Sequence, residues 1–172
     1  MAEAATLRRL GTEDLRAFKA LRDRMLEIYP EAFTSDASAE RGRRADDYLP
    51  RLGLDRRDGG HLVLGAWQGA DLVGAIGLER DCRDKVRHIG HVIGMMVRPE
   101  SQGRGVGRAL LEAAVREARA AGLELLTLSV TAGNDAALHL YERTGFVRYG
   151  SLAKALRIGG RYHAKVLMAR DL

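Results

Sequence analysis

A strand, a glycine-rich turn, a helix and a second strand follow one another without interruption from Val92 to Val130. A strand that returns by way of a helix re-enters its sheet in the same direction, so this run reads as a parallel crossover unit. The turn, QGRGVG at residues 102–107, sets Gly103, Gly105 and Gly107 at alternate positions directly before the helical pattern. Glycines there expose backbone N–H groups at the positive end of a helix dipole, and that arrangement holds an anion. The anion expected is a phosphate on a small cofactor.

The remaining elements are arranged around this unit. Thr6–Leu10 reads as a first strand, broken by Gly11, with Thr12 available to cap a helix. Leu15, Phe18, Leu21, Met25 and Ile28 recur at spacings of three and four, giving that helix one apolar face, and Pro30 ends it. A second helix is expected from a Ser35 cap through Leu52, on the surface because its apolar face (Ala45, Tyr48, Leu49, Leu52) is weak. Residues 61–67 and 71–79 form a hairpin, and the run HIGHVIGMMV is a third sheet strand ending at Val97. After the crossover helix, terminated by Gly122, residues 123–130 read as a strand apolar on both faces. A short helix AALHLYERT and two closing strands, FVRYGSLAKAL and YHAKVLMARDL, complete the chain. The order β-α-α-β-β-β-α-β-α-β-β predicts a single domain over residues 1–172 of the α/β (α+β) class. Its central sheet is mixed and mostly antiparallel, with about seven strands, the fourth and fifth parallel and helices on both faces.

Composition narrows the class of partner. The net charge is +5, yet the arginines are scattered among Asp and Glu, and even RGRRADDYLPRLGLDRRD carries four aspartates. No aromatic residues interleave with a basic stripe, so a nucleic-acid platform is not expected. No apolar run is long enough to span a bilayer, and MAEAATLRRL lacks the apolar core of a signal peptide, so a membrane is not expected and a cytoplasmic setting is. Cys82 is the only cysteine, which excludes an intramolecular disulfide. His88 could serve it as a base, but an incidental loop thiol is the simpler reading.

The turn fits neither common phosphate loop. Arg108 stands where a third dinucleotide-binding glycine would follow Gly103 and Gly105, and no Gly-Lys-Ser/Thr is present. In its strand–loop–helix setting, however, Gln102, Gly105 and Gly107 make the pattern Q-x-x-G-x-G. That pattern resembles the acyl-CoA binding signature of the GCN5-related N-acetyltransferase (GNAT) superfamily. The segment from Asn134 to Phe146, N-D-A-A-x-x-L-Y-E-R-T-G-F, and the closing strand pair resemble the same family.

The resemblance implies the acyl-CoA N-acyltransferase fold, acetyl-CoA as co-substrate, no metal, and transfer of an acetyl group to a primary amine of a small molecule or peptide. It implies main-chain N–H groups from Gln102, Gly103, Arg104, Gly105, Val106, Gly107 and Arg108 on the pyrophosphate, and backbone from Met96 and Val97 along the pantetheine arm. Asn134 would contact the cofactor, although a plain helix cap is its other reading. Tyr141 would protonate the departing thiolate, although an aromatic on a core-facing helix stripe fits its spacing too. For the base, His91 stands where the histone-acetylating branch carries a glutamate, and histidine exchanges its proton near neutral pH. Strand alternation puts His91 on one face with Ile93, Met95 and Val97. Glu79 is the second candidate for the base. A catalytically silent CoA-binding sensor or interaction module is the alternative to an enzyme, and self-association into a homodimer is left open.

In this family the acceptor site lies at the first helix pair and the last hairpin, here YPEAFTSDASAE and LRIGGRYH. Glu27, Glu31, Asp36 and Glu40 gather around the former, which suggests a cationic amine. Ala164 and Lys165 follow the Tyr-His pair of the hairpin where acids often stand in similar chains.

Overall fold

The computed structural model describes residues 5–56 and 59–172. Its elements are β1 (Thr6–Arg9), α1 (Leu15–Ile28), α2 (Ala37–Arg41), β2 (Leu62–Gln68), β3 (Asp71–Arg80), β4 (Ile89–Val97), α3 (Val106–Ala120), β5 (Leu125–Thr131), α4 (Asp135–Arg143), β6 (Val147–Ile158) and β7 (Arg161–Asp171). The sheet has seven strands in the order β1-β2-β3-β4-β5-β7-β6. Every neighbouring pair is antiparallel except β4 and β5, as the crossover requires.

Helices cover both faces, and each face has its own apolar layer. Under α3 and α4 lie Leu64, Ile76, Leu78, Val92, Leu110, Leu126 and Met168. Under α1 and a 3-10 segment at Ala45–Leu52 lie Phe18, Leu21, Met25, Tyr48, Leu72, Ala75 and Met96. The α1 stripe read from the sequence is the stripe that is buried, apart from Ile28, which is exposed.

Three local expectations change. The second helix is broken: the Asp36 carboxylate, not Ser35, caps α2 by accepting from the Ser38 and Ala39 N–H groups, and α2 ends at Gly42. The 3-10 segment that follows is not a surface element, since Tyr48 and Leu52 are fully buried against α1. Both residues pack with Phe18, Leu21 and Met25 of α1, a contact between distant parts of the chain that the local pattern does not show. Strand β5 is apolar on one face only. Leu126, Leu128 and Val130 are buried, while Thr127 and Ser129 point the other way and stay partly open. Among the described residues, no helix is long and apolar enough to cross a membrane.

Candidate active site

The site begins with one extra residue in β4. Gly77 of β3 stands opposite Ile93, but Ala75 stands opposite Met96. Three steps of β4 therefore answer two of β3, a β-bulge at Gly94–Met95, and Gly94 takes a φ of 56° that suits glycine. The bulge exchanges faces. Val92 lies in the layer under α3, whereas Met96, four positions on, is buried under α1. His91 and Ile93 accordingly face α1, and Met95 and Val97 pack on the α3 side. The expectation that His91 shares a face with Met95 and Val97 is overturned; it shares one with Ile93 alone.

Beyond His91–Thr127 the parallel pairing of β4 and β5 stops. Residues 92–95 and 128–130 then line opposite walls of a cavity of about 400 Å³, which Tyr141 and Asn134 also line. The Arg98 N–H donates to the Val73 carbonyl at 2.8 Å, so antiparallel alternation turns the Val97 backbone away from β3. By the same alternation the backbone of Met96, opposite Ala75, turns toward β3. Of the two positions expected to offer their backbone, the geometry therefore favours Val97; Met96 contributes its side chain to a neighbouring wall.

The glycine turn leads into that same region. Gly103 and Gly105 have φ of 72° and 81°, and Gly105 is the residue from which α3 starts. The first backbone bond into the helix runs from the Ala109 N–H to the Gly105 carbonyl at 2.9 Å. The N–H groups of Val106, Gly107 and Arg108 therefore have no acceptor within a helix of 15 residues, which is the anion-holding condition. Gln102 departs from expectation: its N–H is spent on the Pro99 carbonyl at 3.2 Å. Its side chain instead donates to the Val97 carbonyl at 3.0 Å and to the Tyr29 hydroxyl at 3.3 Å, tying the turn to β4. A Cβ on Gly107 would come within 3.2 Å of Met95 Cε and 3.4 Å of Leu140 Cδ2, so glycine keeps open the passage between α3 and α4.

That passage is a second cavity of about 610 Å³, lined by the three turn glycines, Met95 to Val97, Leu140, and the cations Arg108 and Arg143. The two cavities share Ala32, Phe33, Met95, Asn134, Ala137 and Leu140 and so meet at the bulge. A turn with unspent N–H groups, arginines beside it and a passage leading to split strands fit an acyl-CoA. Gly105→Ala is expected to cost about 1–2 kcal/mol, the price of a left-handed non-glycine residue. Urea denaturation would measure it, and an unchanged midpoint would mean the turn relaxes.

On α4, Asn134 is the cap: its side-chain oxygen accepts from the Ala137 N–H at 3.2 Å, and the residue also borders both cavities. Tyr141 is buried, edge-on to Phe146 with ring centroids 5.9 Å apart, and it lines the slot between β4 and β5. Burial pushes its phenol up to about 12. Of the two base candidates, Glu79 lines the slot cavity. His91 stands opposite Glu79 in the ladder, with Nδ1 2.6 Å from Thr127 Oγ1, and is not among the lining residues.

Of the four acids expected to draw a cationic amine, three are occupied within the protein, and Glu31 is exposed. Glu27 pairs with Arg41, and Asp36 caps α2. Glu40 is buried, accepting from Arg22 Nε at 3.0 Å and from the Tyr48 hydroxyl. Burial pushes the Glu40 carboxyl up, but the bonds from Tyr48 and Arg22 outweigh it and hold the group below its ordinary value. What faces the slot cavity instead is Arg22, Arg51 and Lys165. Sequence reading missed Arg51 because it lies in a stretch that looks like solvated arginine-rich surface.

Residues 20–146 match the model of the acetyltransferase (GNAT) family. A mycothiol acetyltransferase of Propionibacterium freudenreichii is 32% identical over 146 residues, covering 84% of this chain and 43% of that protein. The chain thus spans less than half the length of that relative. An acetyltransferase of the GNAT family from Streptococcus pneumoniae superposes with a TM-score of 0.84 at 26% identity, over 98% of this chain and 99% of that one. A putative acetyltransferase from Salmonella typhimurium, solved with its cofactor acetyl-CoA, has the same fold with a TM-score of 0.85 at 21% identity, over 99% and 95% of the two chains. With the family match spanning most of the sequence and the fold agreeing from end to end, this chain belongs to the acetyltransferase (GNAT) family.

Proposed function

We propose that the chain is an acetyl-CoA-dependent N-acetyltransferase that passes the acetyl group directly to a primary amine in a ternary complex. The observation that carries this reading is the meeting of the two cavities at the bulge. One comes from the anion-holding turn, and the other opens between the split strands beside Tyr141. Bound acetyl-CoA would supply an activated acyl group. The free N–H groups of Val106, Gly107 and Arg108 would hold its pyrophosphate, with Gly103 and Arg104 completing the turn.

Within this reading the Val97 N–H donates to the carbonyl oxygen on which negative charge develops. Glu79 takes a proton from the amine, directly or through a water, because an ordinary alkylammonium must lose one before it can attack. His91, held on Thr127, keeps the Glu79 side of the ladder polar. Tyr141 returns a proton to the leaving sulfur. Burial that disfavours its phenolate disfavours a thiolate in the same pocket as well, so the transfer depends on the difference between the two. Cys82 is exposed on the loop after β3, and no covalent acyl step is assigned to it. A reducing, cytoplasmic setting belongs to the same proposal, supported by the single free thiol.

Thermal or urea denaturation with acetyl-CoA tests this first. At about a hundred times its dissociation constant the ligand should add roughly 2.7 kcal/mol to stability. Absence of any stabilisation at millimolar acetyl-CoA would overturn the reading.

A further inference from the structure

The slot cavity is lined by three cations and one carboxylate, Arg22, Arg51, Lys165 and Glu79. Arg22 is already neutralised by buried Glu40 and also donates to Ser35 Oγ at 2.8 Å. Arg51 is different. It is half-buried, its guanidinium lies 5.7 Å from the Tyr48 ring centroid, and among the described residues it makes no hydrogen bond or ion pair. Lys165 is likewise half-buried, and its Nζ donates to a neutral group, Thr34 Oγ1, at 2.7 Å. Glu40 and Glu79 lie within electrostatic reach of Arg51, but among the described residues neither Arg51 nor Lys165 is bonded to a carboxylate, and two partly desolvated cations lining one cavity favour an anion there.

A polyamine fits that wall poorly. It would bring positive charge against Arg51 and Lys165 with only Glu79 to meet it. A molecule with an amine and a carboxylate answers each feature: the carboxylate meets the cations and the amine turns to Glu79 and the bulge. Within the acetyltransferase reading above, on which this rests, we propose that the acceptor is a small amino acid-type molecule whose carboxylate is bound by Arg51 and Lys165. The fold places the two from distant parts of the chain, the 3-10 segment before β2 and the last strand β7.

The test compares initial rates at saturating acetyl-CoA for the free amino acids, their carboxamides, and the carboxylate-free amines putrescine and spermidine. At least one amino acid should be acetylated with a kcat/KM tenfold or more above that of its amide. Arg51→Gln should shrink this acid-to-amide ratio at least tenfold, mainly through KM of the acid, and Lys165→Met should shrink it in the same sense. The acetyl-CoA-induced shift in denaturation midpoint should persist in both variants, which reports that they fold. Should Arg51→Gln fail to fold, the wild-type ratio and Lys165→Met still decide the matter. Equal use of acids and amides, a preference for polyamines, or acetylation of no amino acid at all would overturn the proposal. Those outcomes differ from failure of the function itself, in which acetyl-CoA would not stabilise even the wild-type chain.

Discussion

Replacing Tyr141 by phenylalanine is expected to lower kcat by about 10²–10⁴-fold, the range for losing a positioned general acid. Acetyl-CoA affinity should stay nearly unchanged. The ring is held by packing against Phe146 and the layer under α4, and Phe preserves that packing while removing only the hydroxyl. Steady-state rates and the acetyl-CoA-induced stabilisation, measured on the same variant, separate the two roles. Full turnover would remove Tyr141 from the chemistry and leave it as a core aromatic. Loss of turnover with intact binding would argue against a silent CoA-binding module. The pH dependence carries a second sign. Because burial raises the folded-state value to about 12, the phenol keeps its proton throughout the neutral range. Its contribution to stability is whole below the ordinary value of 10.0 and is lost as pH rises through about 12. Tyr48, pushed up to about 12 by burial and by its bond to Glu40, acts in the same direction.

The second large effect concerns stability alone. Glu40→Ala is expected to destabilise the fold by about 3–5 kcal/mol, because it leaves the Arg22 charge buried without its partner. The side chains of Arg22 and Glu40 are only 4% and 6% exposed, so water cannot substitute. The Tyr48 hydroxyl would lose its acceptor as well. Glu40→Gln should cost less, since an amide oxygen can still accept from both. Urea titrations of the two variants would show the ordering; equal, small losses would mean that solvent enters the cluster. The carboxyl is held below its ordinary 4.5, so the stabilisation is present above that pH and disappears as pH falls through the lower folded-state value.

Much of this architecture is visible in the residue order. The crossover, the turn and the α1 stripe follow from periodicities set by backbone geometry, and a glycine that must take positive φ leaves its mark in the sequence. Gly103 and Gly105 are such cases. Other features depend on what the chain meets elsewhere. The face of His91 cannot be read by alternation, because the count is broken by an extra residue whose presence only the pairing with β3 reveals. Tyr48 looked like surface because its local apolar pattern is weak, and the packing with α1 that buries it is supplied from elsewhere in the chain. Glu27, Asp36 and Glu40 looked like a negative patch, and each is claimed by a partner or a cap that tertiary contact supplies. Arg51 shows the converse: a cation in an arginine-rich stretch becomes distinctive only once it is seen to lie over Tyr48 with no ion pair among the described residues.

The bulge at Gly94 also bears on how such a protein can diversify. His91 and Ile93 face α1, the side proposed for the acceptor, and Met95 and Val97 face α3, the side proposed for the acyl donor, with one irregular position between the two pairs. Under the proposed function, substitutions at His91 and Ile93 would retune which amine is accepted without touching the groups proposed to hold the acyl donor. The strand is thus modular along its length, and a lineage can change its clientele while keeping its currency.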